Sequence, residues 1–95
     1  MTSGDCHAGR YETSIVMAAD AAAVRETKRR ELPEVRIDLL DKMKAGVRTF
    51  AAAGAEEAYC GAPAAASVHE GERLIEQLAE MRVVSVRETW PDLFR

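Results

Sequence analysis

SVHEGERLIEQLAEM, residues 67–81, is the stretch on which the fold turns. Ser67 followed three positions later by Glu70 fits a capping box. The hydroxyl bonds the third helical amide, and the carboxylate bonds back to the Ser67 amide. Behind it Val68, Ile75, Leu78 and Ala79 recur at helical spacing, flanked by Leu74 and Met81. Glu72, Arg73, Glu76 and Glu80 occupy the wet side. The spacing predicts an amphipathic helix.

Beyond Met81 the pattern changes. RVVSVRET, residues 82–89, is β-branched with period two, which predicts a short strand over about 83–88. The last six residues hold Trp90, Leu93 and Phe94, a bulky apolar set that predicts a docked tail. Before Ser67, GAPAAA (61–66) reads as a small-residue connector. Further back, Val35, Leu39, Leu40, Met43, Val47 and Phe50 fall on one helical stripe. Residues 34–38 also alternate as an exposed strand would. The longer helical count favours one helix over about 34–53, opened by Pro33 and weakened at Gly46.

DAAAVRETKRRE, residues 20–31, predicts a helix with Asp20 as its cap and Lys28, Arg29 and Arg30 in its last turn. YETSIVM, residues 11–17, is β-branched and aromatic and predicts a strand that could pair with 83–88. Residues 1–10 carry two glycines and little periodicity, as a flexible tail would. The resulting expectation is a mainly α (α+β) domain over 11–95, with three helices and one or two short strands.

Composition narrows the function classes. Seventeen of the hydrophobic residues are alanine, so the core is diluted. A compact chain of this mass exposes roughly 5,400 Å². Thirteen Lys/Arg against sixteen Asp/Glu give a net charge of −3, which argues against a strongly basic nucleic-acid binder. The beginning lacks the basic and apolar regions of a secretory signal, and no run is long and apolar enough for a membrane span. Two cysteines far apart suit reduced thiols. A cytoplasmic, soluble protein is expected, with no membrane contact.

Catalytic signals are sparse. Cys6, His7, Cys60 and His69 are the residues from which a thiol–imidazole metal site could be built, but their spacing matches no zinc module. Cys60 sits at an expected helix end, which does not activate a thiol. His69–Glu70 lacks the second histidine of a metalloprotease helix. Neither a catalytic residue, a metal nor a cofactor is expected.

Charge, by contrast, is segregated. Residues 25–48 carry +3 and residues 56–80 carry −5. The function expected on this ground is a non-enzymatic interaction module: a regulator, adaptor or inhibitor. Its contact residues would be Arg25, Lys28, Arg29 and Arg30 on one patch and Glu72, Glu76 and Glu80 on another. Trp90 and Phe94 would serve as anchors. The partner would be another protein, with nucleic-acid-handling complexes among the candidates, or a second copy of the chain. The alternative is a dimeric ribbon–helix–helix-like DNA-binding regulator, which the order of strand 11–17 and two helices would suit. That strand offers Glu12, Thr13 and Ser14 but no cation for phosphates, which disfavours direct nucleic-acid binding.

Overall fold

Five α-helices and three short 3₁₀ turns follow one another along the chain in the computed structural model, which describes residues 7–94. The helices are α1 (Arg10–Ala19), α2 (Glu26–Glu31), α3 (Leu39–Lys44), α4 (Phe50–Ala53) and α5 (Val68–Thr89). The 3₁₀ turns are Ala21–Ala23, Pro63–Ala65 and Pro91–Phe94. The protein is mostly helical, as the sequence leads one to expect. Among the described residues no helix is long and apolar enough to cross a membrane.

The pairing of α1 with α5 is the main tertiary contact. Ser67 Oγ accepts from the Glu70 amide at 3.1 Å, which is half of the capping box. The other half is differently made. The Ser67 amide donates to Ser14 Oγ on α1 at 3.1 Å, and the Glu70 carboxylate accepts from Arg10 Nε at 2.7 Å. Both contacts tie the start of α5 to α1. Gly71 is the buried residue of α5, set against the Ser14 backbone.

Both expected strands are helical. Residues 11–17 lie inside α1, where Ser14 and Met17, three apart, face inward together. That spacing buries one side of a helix and would place a strand's two residues on opposite faces. Residues 83–88 belong to α5, which runs on to Thr89 with its own backbone bonds satisfied. Among the described residues no strand lies beside it to offset the loss of those bonds. What β pairing the described residues show is two isolated antiparallel bridges, His7 with Cys60 and Val35 with Gly61.

The long helix expected over 34–53 is broken into α3 and α4. Val35 is held in its bridge, with its amide donating to Gly61 O at 2.9 Å. Asp38 caps α3 by accepting from the Asp41 amide, and Gly46 takes a left-handed φ of 92° just after it. Thr49 then caps α4 through its hydroxyl, and Gly54, at φ 104°, closes it. Within residues 20–31, Ala21–Ala23 is a 3₁₀ turn, and only residues 26–31 are α-helical. Of the expected tail, residues 1–6 lie outside the described residues. His7 O accepts from the Cys60 amide at 2.9 Å, Gly9 is buried, and Arg10 already begins α1.

The core is small and alanine-rich. Met17, Tyr59 and Cys60 are buried with Ala53, Ala55 and Ala66. Two polar side chains join them, Ser14 and Arg29.

Candidate active-site cleft

A cleft of about 450 Å³ opens between α1, α2 and the segment from residue 57 to residue 63. Val16, Val24 and Leu32 supply its apolar surface. Glu12 and Glu57 face it from one pair of elements, Arg25 and Lys28 from α2 and its cap, and Tyr59 closes it. Opposite charges therefore line one concave surface.

Two of its lining residues hold a backbone conformation that L-residues avoid. Ala8 has φ 49° and Ala58 has φ 63°. Left-handed alanines cost on the order of 1–2 kcal/mol each and persist where the surroundings over-determine them. The surroundings of Ala8 are visible. Its amide donates to Glu12 Oε1 at 3.4 Å, and its carbonyl accepts from Thr13 Oγ1 at 3.3 Å. The first turn of α1 thus grips the turn before it from both sides. On the far side of Ala8, the His7 ring stacks on Phe50 with centroids 4.7 Å apart. The chain around His7 and the chain around Cys60 are joined by their bridge, so both strained turns belong to one framework.

Arg29 anchors the floor. Its Nη1 donates to Ala64 O at 2.9 Å and Pro63 O at 3.1 Å, with Ala66 O at 3.4 Å. Nε and Nη2 both bond the Glu26 carboxylate, and Arg30 Nε reaches the same carboxylate at 2.9 Å. The Arg29 hydrogen bond, reinforced by the charges of Arg29 and Arg30, holds the Glu26 carboxyl down at about 2. The same bond raises the Arg29 pKa against its own burial. Tyr59 donates its hydroxyl to Pro33 O at 2.6 Å, and burial, with Glu57 nearby, pushes its pKa up.

The residues singled out by charge fall in different places. Arg25 and Lys28 face the cleft. Arg29 is buried and fully engaged, so it is not a surface contact. Arg30 is exposed and paired with Glu26. Glu72, Glu76 and Glu80 lie exposed on α5, and among the described residues none of them pairs with the basic set. Trp90 is exposed at the end of α5, and Phe94 ends the last 3₁₀ turn. Among the described residues no three of His, Cys, Asp and Glu come together to hold a metal.

Reading the sequence by charge does not bring Glu12, Glu57 and Tyr59 together on one surface with Arg25 and Lys28. The available signal for Glu12 is helical spacing from Gly9 onward, which places it in the first turn of α1 beside the 7–9 turn.

The chain matches the family model described as creatininase, creatinine amidohydrolase, over residues 1–85. It belongs to the creatininase family. Among the curated proteins and the solved structures, none matches it. The creatininase match overturns the expectation of a non-enzymatic regulator, adaptor or inhibitor, because the family is one of hydrolytic enzymes. The ribbon–helix–helix alternative falls with it, and its strand is helix α1. The physical reason for the miss is that the groups lining the cleft are far apart in sequence. Their arrangement depends on two left-handed turns that composition does not reveal.

Proposed function

We propose that this creatininase-family chain takes part in hydrolysis of an amide bond, of the kind named for creatinine, and that the cleft between α1 and α2 receives the substrate. The family match over residues 1–85 carries this reading. Amide hydrolysis requires a base for the attacking water, positive groups for the developing oxyanion and a proton for the leaving nitrogen. The cleft offers carboxylates at Glu12 and Glu57 and cations at Arg25 and Lys28 around an apolar middle. In this reading Glu12 takes a proton from the attacking water and passes it to the leaving nitrogen as the C–N bond breaks, while Arg25 and Lys28 stabilise the negative charge that develops on the carbonyl oxygen. The cytoplasmic location expected from two distant cysteines accompanies it.

The test is direct. Purified chain is incubated with creatinine, and the ring-opened product is followed by chromatography. Hydrolysis above the buffer rate is expected, with Glu12→Gln lowering it by about 10²-fold or more at an unchanged melting temperature. A wild-type chain that hydrolyses neither creatinine nor other small cyclic amides overturns the proposal.

A further inference from the structure

One carboxylate of the cleft has no part in the proposed hydrolysis. Glu12 moves the proton, and Arg25 and Lys28 answer the charge on the oxygen. Glu57 lines the same space and serves none of these steps.

The position of Glu57 is fixed from both sides. It sits on a turn that the Ala58 amide closes by donating to Ala55 O at 3.0 Å. Ala55 and Tyr59, two residues to either side, are buried, and Ala58 holds a left-handed φ of 63°. The Tyr59 hydroxyl pins the far end by donating to Pro33 O at 2.6 Å. The backbone that carries the carboxylate is thus set before any ligand arrives, which lowers the cost of binding.

Its charge is left uncompensated. Among the described residues Glu57 has no ion-pair partner, and neither has Lys28, the cation that lines the same space. Glu57 also borders a second cavity, of about 460 Å³, which shares Lys28, Leu32 and Tyr59 with the cleft. Glu31 and Glu56 line that cavity too, so three carboxylates stand there against one ammonium. Leu32 and Val35 add apolar surface. A concave surface dominated by one sign of charge concentrates ligands of the other sign.

We propose that the cleft selects amides that carry a positive charge at neutral pH, and that Glu57 is the residue that receives that charge. The amide lies toward Glu12 and Arg25, and the charged group points past Tyr59 toward the second cavity. The substrate class is a small cyclic amide with a protonated amine on its ring. This inference deepens the hydrolytic reading of the cleft and rests on it.

Two lactams that differ in one charge test it. They are α-amino-ε-caprolactam, protonated for the most part at about pH 6.5, and ε-caprolactam. The purified chain is titrated with each by NMR, and hydrolysis of each is followed by chromatography. The charged lactam should bind about threefold to fivefold more tightly, the scale of one exposed ion pair. Added salt should shrink that preference. Glu57→Gln should bring the two affinities within about twofold of each other. Glu76→Gln removes the same charge outside the cleft, on α5, and should keep the preference. Equal binding of the two lactams by the wild type overturns the proposal. So does binding of neither, or a preference that survives Glu57→Gln. Charge-selective binding that depends on Glu57, without turnover of either lactam, supports the assignment of Glu57 and sinks the hydrolytic reading. Turnover of both lactams with equal KM keeps the hydrolytic reading and overturns the charge selection.

Discussion

The carbonyl oxygen of Ser14 occupies the space that a side chain on Gly71 would need: a Cβ there would stand 1.8 Å from it. The same serine is fully buried and accepts the Ser67 amide through Oγ. One residue of α1 thus satisfies the cap of α5 and sets how closely the two helices approach. The first turn of α1 carries Glu12, so this approach also positions one wall of the cleft.

Gly71→Ala should therefore destabilise the protein even though alanine is the better helix former. Propensity favours alanine by about 1 kcal/mol. Against that, the new Cβ meets the Ser14 carbonyl carbon at 2.5 Å and Ala18 Cβ at 2.9 Å as well, so backbone must move. Overpacking of this kind costs about 1–3 kcal/mol or more. The expected outcome is a lower melting temperature by calorimetry; an unchanged or raised one would show that α1 and α5 separate freely.

Arg29→Lys should also destabilise, by about 1–3 kcal/mol in urea denaturation. An ammonium cannot reproduce the planar fork that bonds both the Glu26 carboxylate and the carbonyls of Pro63 and Ala64. The partners left unpaired are buried or half-buried, which makes the substitution far from conservative. Equal stability of the two proteins would mean that the fork is dispensable.

Acid should loosen the same network. The folded Glu26 pKa is about 2 and the ordinary value is 4.5, so the unfolded state binds a proton first as pH falls. Its contribution is complete above about pH 4.5 and is lost as pH falls toward 2. Thermal melts between pH 2 and 5 should show Glu26→Gln with a flatter pH dependence than the wild type. Parallel curves would assign the acid sensitivity to other carboxylates.

Much of the helical class is legible in residues 67–81, because the Ser67 cap and the apolar spacing agree locally. The strand expectations at 11–17 and 83–88 fail for one reason: β-branched residues prefer strands only mildly, and packing outweighs that preference. Ser14 and Met17 are buried three apart on α1, while α5 simply continues. The break between α3 and α4 is half legible, since Gly46 is visible in the sequence but the pull of Gly61 on Val35 is not. The cleft is the least legible part. Arg29 looks like one of three surface cations, yet its guanidinium turns inward to carbonyls 34 to 37 residues away. No local pattern distinguishes it from Lys28 or Arg30.

Tyr59→Phe separates two roles of that residue. Near neutral pH it removes the 2.6 Å bond to Pro33 O and should cost about 0.5–1.5 kcal/mol. At alkaline pH the difference shrinks in a defined way. Burial, with the charge of Glu57, raises the folded Tyr59 pKa above the ordinary 10.0, so the unfolded state loses the proton first. The hydroxyl's contribution is whole below about pH 10 and is lost as pH rises toward the folded value. Wild type should therefore lose stability above pH 10 faster than Tyr59→Phe, and the two denaturation midpoints should converge. Midpoints that stay equally far apart from pH 8 to 11 would show that the phenol ionises as easily folded as unfolded, contrary to its buried position at the edge of the cleft.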